Sequence, residues 1–224
     1  MTPLRHRMVE DLQLRGYSES TQKVYVDSVR QLCEHYDKSP GRISEEDLRQ
    51  YFLYGKNEKK WSRSTSTIAL CGIKFFYENT LQRPWPTLFF IRPGQEKKLP
   101  VVLSCEEVRR ILANIRMLRY RVCLSTIYSC GLRLSEGINL RVEDIDSARG
   151  VIAVRNSKGN KDREVPLPEK TLELLKEQWK SHRNKALLFP SAARGEANIS
   201  TAQNPFSKSS VQSAFRSAVK SARI

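Results

Sequence analysis

The residues whose types and spacing could do chemistry lie in two short stretches, "GLRLSEGINLRVEDID" (131–146) and "NSKGNKDREVPLP" (156–168). In the first, Arg133 follows Gly131, which reads as the stop of one apolar helix, and precedes Ser135 and Glu136, which read as the start of the next. A cation in a first helical turn meets the positive end of the helix dipole, where Asp or Glu is favoured, so Arg133 calls for a compensating partner. An anion would be one. Helix N-termini present unpaired N–H groups, and an arginine fork adds bidentate, charge-assisted hydrogen bonds to phosphate. A tie to Glu136 or Asp144, joining two helices, would be another. In the second stretch Lys158, Lys161 and Arg163 crowd one tight turn with Asp162 opposing them. Taken by itself that turn reads as a solvated loop; together with Arg133 it reads as half of an anion site.

The elements that must position these residues follow from periodicity and punctuation. Residues 1–82 predict four helices. The first runs over Pro3–Leu14 and stops at Gly16; the second is capped by Ser18 or Ser20 and repeats Tyr25, Val29, Leu32 and Tyr36 at helical spacing. The third opens on a Ser44/Asp47 capping box and ends at Gly55, and the fourth opens near Ser64 with Ile68, Cys71, Phe75 and Asn79 along one side. Residues 83–98 hold three prolines and a basic end, which predicts an extended connector. Residues 99–224 form a second domain. It opens with a Ser104/Glu107 capping box, followed by helices over about Arg119–Cys130 and Leu134–Leu140. The period then changes: "GVIAVR" (150–155) and "REVPL" (163–167) are Val- and Ile-rich strands joined by a turn in which Gly159 and Asn160 suit positive φ. Helices over Pro168–Ser181 and Ser209–Ala222 flank a loop from Ser191 to Pro205.

Charge narrows the partner. The formal net charge is +15, and residues 1–82 carry 13 basic and 11 acidic side chains against 26 and 13 in residues 83–224. Nearly all the excess therefore sits in the second part, which favours a polyanion, nucleic acid being the commonest. No apolar run approaches the roughly 18 residues of a membrane span and no signal-peptide pattern precedes Met8, so the expectation is a cytoplasmic protein without a membrane partner. Five cysteines without a C-x-x-C pair, and histidines only at positions 6, 35 and 182, argue for buried free thiols and against a zinc site.

With these stretches in view the chain resembles the tyrosine recombinases, the phage-integrase-type site-specific recombinases. The resemblance spans "YSESTQKVYVDSVRQL", "RSTSTIALCGIKFFYENTL", "KKLPVVLSCEEVRRIL", the Arg133 box and the Lys158 hairpin, and is nearest to integrases of mobile elements such as insertion sequences and integrons. It implies a fold that is mainly α with a small antiparallel β-sheet (α+β): a four-helix, SAM-like core-binding domain over 1–82, then a recombinase catalytic domain over 99–224. It also implies attack of a tyrosine on a DNA phosphodiester, a 3'-phosphotyrosyl intermediate, no metal or nucleotide cofactor, and strand exchange in a homotetramer on double-stranded DNA. Arg133 matches the family's first phosphate-clamping arginine, Lys158 the hairpin lysine that protonates the leaving 5' oxygen, and Glu136 the acidic residue beside the arginine. Lys161, Arg163, Arg155, Arg63 and Thr67 fall at DNA-contacting positions. Ser157 stands where many relatives carry glycine.

The resemblance stops at the last helix. Relatives continue into a histidine and second-arginine motif, a further histidine or tryptophan, and then the nucleophilic tyrosine; in this sequence the last tyrosine is Tyr128 and the last histidine His182. His182 and Arg183 precede the strand-like "ALLFP" and do not substitute for that motif, and Tyr128, inside the apolar helix, is expected in the core. The expectation is thus a C-terminally truncated recombinase that binds DNA and does not cleave it. A DNA-binding regulator or decoy at a recombination site, and a module with an acidic protein partner, are the alternatives.

Overall fold

The computed structural model describes residues 2–84, 101–155, 162–191 and 199–224. It divides into two compact units, Met1–Leu99 and Pro100–Ile224. Most of the expected connector, and the hairpin turn with Lys158, Gly159, Asn160 and Lys161, lie outside the described residues.

The first unit is helical: α1 (Pro3–Leu14), α2 (Glu19–Tyr36), a 3-10 turn (Pro40–Arg42), α3 (Glu45–Asn57) and α4 (Arg63–Phe75), which runs on into a π-helical turn (Phe76–Thr80). Ser18 caps α2, its Oγ accepting from the Thr21 N–H at 3.4 Å. At α3 the capping box forms in both directions, Ser44 Oγ accepting from Asp47 N at 3.1 Å and Asp47 Oδ2 from Ser44 N at 2.9 Å. These bonds to its charged form hold the Asp47 carboxyl below the usual range. The helix does not end at Gly55. It runs to Asn57, because Gly55 is a packing position on which the Trp61 ring lies and which a Cβ would fill.

Met8, Leu12, Val29, Leu32, Leu48, Ile73 and Phe76 make the centre of this core. The buried side of α4 differs from expectation: Ala69, Gly72, Ile73 and Phe75 are inside, while Ile68 and Cys71 are exposed. A Cβ on Gly72 would stand 2.9 Å from the Tyr25 Cα, so α4 turns its small residues to α2 and close backbone approach outweighs burial of Ile68.

The second unit contains α5 (Cys105–Ala113), α6 (Leu118–Ser129), α7 (Leu134–Ile138), a 3-10 turn (Val142–Asp144), strands β1 (Ile145–Asp146), β2 (Val151–Val154) and β3 (Arg163–Pro166), then α8 (Glu169–His182) and α9 (Lys208–Ser221). The sheet is antiparallel in the order β1-β2-β3, with Ile152 opposite Ile145 on one side and Val165 on the other. The strand β1 was not foreseen; two residues are too few to carry a periodic signal. Ile138, Ile152, Phe189 and Val211 are fully buried at the centre of the main core.

Two features aim α7. Gly131 adopts φ +61° and turns the chain out of α6, and Gly137 has no side chain where α7 crosses Ile127, whose Cγ1 an added Cβ would overlap. Along α6 the buried residues are Val122, Cys123 and Thr126, so Tyr128 falls on the far side and is 54% exposed. The expectation that Tyr128 packs in the core is therefore wrong. Cysteines are also more exposed than expected. All five are free, but Cys71 and Cys105 face solvent, whereas burial pushes the Cys123 thiol up to about 12. No helix among the described residues is long and apolar enough to cross a membrane.

Candidate phosphate-binding site

Arg133 is the N-cap of α7, with extended backbone (φ −71°, ψ 152°), so it precedes the first helical turn instead of lying within it. Glu136, three residues on, folds back and accepts the Arg133 backbone N–H on Oε2 at 2.8 Å. That is the returning half of a capping box, and it places a carboxylate at the positive helix end as the dipole favours. The same carboxylate then takes the Arg133 guanidinium, Nη1 to Oε1 at 2.6 Å. The unfavourable cation at the start of α7 is thus compensated locally.

Glu136 has a second arginine. From β3, Arg163 approaches as a fork, Nη1 to Oε1 at 3.0 Å and Nη2 to Oε2 at 2.8 Å, across a sequence separation of 27 residues. The bond to Glu136 raises the Arg163 pKa further. Two oxygens offer about four acceptor sites, and hydrogen bonds from both arginines help satisfy them, which is what a carboxylate needs when its side chain is only 7% exposed. The two cations differ in how much water they keep: the Arg163 side chain is 34% exposed and that of Arg133 55%. With one carboxylate between two guanidinium groups the trio carries a formal excess of one positive charge, and its more open face belongs to Arg133.

Strand alternation explains why Arg163 faces α7. Its neighbour Glu164 points the other way and meets Arg149 in a bidentate pair at 2.9 and 2.7 Å, which lowers the Glu164 carboxyl below its usual range. Arg155, just after β2, lies with Nε 3.1 Å from Oδ1 of the buried Asp144, whose Oδ2 accepts from Arg141 N at 2.9 Å. Asp144, which the sequence offered as an alternative partner for Arg133, forms its ion pair with Arg155. Arg133, Arg163 and Arg155 are therefore each held by a carboxylate of the second unit, two of them by the same one. Lys158 and Lys161 lie outside the described residues.

Arg63 and Thr67 belong to the first unit, on exposed turns of α4. Ser62 caps that helix through Thr65 N at 3.2 Å, and Thr67 Oγ1 donates to the Arg63 carbonyl at 2.9 Å. His182 is buried at the end of α8, its Nδ1 accepting from Asn184 N at 3.1 Å, and burial lowers its pKa. Arg183 is the left-handed residue that closes α8 (φ 50°). Both are structural. Tyr128 Oη donates to Cys105 Sγ at 3.9 Å. Among the described residues no cluster of three or more His, Cys, Asp or Glu could hold a metal ion. The sharing of Glu136 by a second arginine was missed in the sequence, since no periodicity links positions 136 and 163.

Comparison with known proteins places this geometry in context. Residues 4–87 match the family model described as "Phage integrase, N-terminal SAM-like domain", and residues 102–224 match "Phage integrase family". An integrase/recombinase of Sinorhizobium fredii is 41% identical over 196 residues, covering 87% of this chain and 64% of that one. Tyrosine recombinase XerD of Pseudomonas aeruginosa is 31% identical over 214 residues, covering 87% and 71%. Among solved structures, a lambda integrase tetramer bound to a Holliday junction matches with a TM-score of 0.74 at 15% identity, over 99% of this chain and 63% of that one. The chain spans 60–64% of the length of the integrase/recombinases that match it at 36–41% identity.

Proposed function

The chain belongs to the phage integrase family, and from that premise we propose that it is a site-specific tyrosine recombinase of mobile-element type whose second unit grips the DNA backbone at the site to be exchanged. The observation that supports this best is the Arg133–Glu136–Arg163 trio, which leaves one excess positive charge on a half-exposed guanidinium at a helix start. In phosphoryl transfer at a phosphodiester, negative charge gathers on the non-bridging oxygens as the nucleophile adds. A guanidinium already oriented by a carboxylate stabilises that charge without having to reorganise. Arg133 takes this role, and Lys158 that of general acid toward the departing 5' oxygen, which leaves poorly as an alkoxide.

The partner in this reading is double-stranded DNA, met in the cytoplasm, with recombination carried out in a homotetramer and no metal or nucleotide cofactor. Arg155, Lys161, Arg63 and Thr67 add contacts along the backbone. These contacts position the protein and are insensitive to sequence. The excess of basic side chains over residues 83–224 supports a steep salt dependence.

Titrating a labelled duplex at several salt concentrations tests the reading. Affinity should fall linearly on a log–log plot, and the slope should drop by about one unit in Arg133→Ala. Affinity that stays flat between low and moderate salt would overturn DNA as the partner.

A further inference from the structure

We infer that Arg163 serves the phosphate site indirectly, as a positioning residue that neutralises Glu136 so that the charge of Arg133 stays available to an anion. The inference rests on the reading of Arg133 as the phosphate clamp and goes beyond it. It gives Arg163, otherwise one more cation in a basic stretch, a role that needs no contact with DNA.

The geometry carries the argument. Glu136 is fixed by its bond to the Arg133 backbone N–H, so it cannot swing away when an anion arrives. A carboxylate this buried needs cationic partners, and with Arg133 as its guanidinium partner it would draw that side chain into a two-pronged pair of zero net charge. A phosphate would then have to break the pair and strand a carboxylate with 7% exposure. Arg163 removes the conflict. Its fork takes one bond on each Glu136 oxygen, at 3.0 and 2.8 Å, and the Arg133 guanidinium reaches the carboxylate through Nη1 at 2.6 Å. One carboxylate shared this way orients Arg133 without cancelling it. The exposures agree with the division of labour, 34% for the Arg163 side chain against 55% for Arg133.

The chemistry also says which substitutions separate this role from a direct phosphate contact. Glutamine at 136 can still accept the Arg133 N–H, because the returning half of a capping box is made by Glu or Gln. Glu136→Gln therefore removes the charge and spares the helix start. A residue acting through Arg133 must lose its effect when Arg133 is gone, whereas a direct contact keeps it.

The experiment is a duplex titration at fixed low salt on the full chain and on Arg163→Gln, Arg133→Ala, Arg163→Gln/Arg133→Ala, Glu136→Gln and Arg163→Gln/Glu136→Gln. Each protein's thermal unfolding is followed so that affinity is referred to the folded fraction. Arg163→Gln is expected to weaken binding by about tenfold in the unmodified chain and by less than about twofold once Arg133 is alanine. Adding Glu136→Gln should restore most of the loss in the Arg163→Gln chain. Equal Arg163→Gln effects in both backgrounds, or no restoration by Glu136→Gln, would overturn the inference and make Arg163 a direct contact. An unmodified chain that binds no duplex would remove the reading of Arg133 as a clamp, and the inference with it. That result is distinct from binding without coupling.

Discussion

The two places proposed to offer arginine to a phosphate are built on opposite principles. On α4 of the first unit, Arg63 and Thr67 occupy exposed positions in the first turns, and the ties around them are local: Ser62 to Thr65 and Thr67 to the carbonyl four residues back. In the second unit, Arg133 and Arg163 converge from a helix start and a strand on one buried carboxylate, across 27 residues of sequence. Side chains with local ties keep their rotamer freedom and can follow a backbone of variable shape. Side chains fixed by long-range bonds have given up that freedom on folding and present their charge at one point. The difference teaches where each can be used: the first suits sequence-tolerant grip, the second suits stabilisation of charge at a single reacting phosphate.

The comparison breaks most severely if the fold beneath the second site is removed. Phe189 is fully buried, and Phe189→Ala should destabilise the second unit by about 3–5 kcal/mol. Hydrogen exchange of the β2 and β3 amides checks this, and an unchanged exchange pattern would mean that the long-range site does not depend on this core. A smaller step moves only α7. Gly137→Ala drives a methyl group into Ile127 and should cost about 1–3 kcal/mol, with duplex affinity falling further than stability because Arg133 shifts with the helix. Affinity that tracked the folded fraction alone would show that the placement of α7 is not what sets the clamp.

Point charges sharpen the contrast. Arg133→Ala should weaken duplex binding by about tenfold with little change in the unfolding midpoint, since Arg163 and the backbone N–H still satisfy Glu136. Arg63→Ala should weaken it by about two- to threefold, the smaller loss expected of a mobile contact. A larger loss at Arg63 than at Arg133 would invert the comparison.

The smallest effect is one of pH. The folded-state pKa of His182 lies below its ordinary 6.5 because of burial, so the unfolded chain binds more protons in that window. Stability should therefore fall as pH drops below about 6.5, and rise again toward neutrality. His182→Gln should flatten this part of the profile in a thermal-unfolding series.

Much of the fold was legible because it is written in local chemistry. Ser44 with Asp47, Ser104 with Glu107, and Ser18 at the start of α2 marked helix starts, since a cap is decided within one turn of chain. The strands over Val151–Val154 and Arg163–Pro166 announced themselves by β-branched residues, and Gly131 by its place after an apolar run. Where two faces of a helix competed for burial, local pattern failed. On α4 the face was chosen by how closely Gly72 lets the backbone approach Tyr25, and on α6 by Val122, Cys123 and Thr126, which left Tyr128 outside.

The candidate site divides along the same line. The sequence by itself determined that Arg133 stands at a helix start beside Glu136, because both residues lie in one turn and the capping geometry follows from their spacing. Only the tertiary structure decided that Glu136 also serves Arg163, and that Asp144 turns to Arg155. Those pairings depend on where β2 and β3 lie relative to α7, a placement set by burial of Ile138, Ile152 and Phe189 in one core. Burial is non-directional and sums over the whole unit, so no window of sequence around Arg163 contains it.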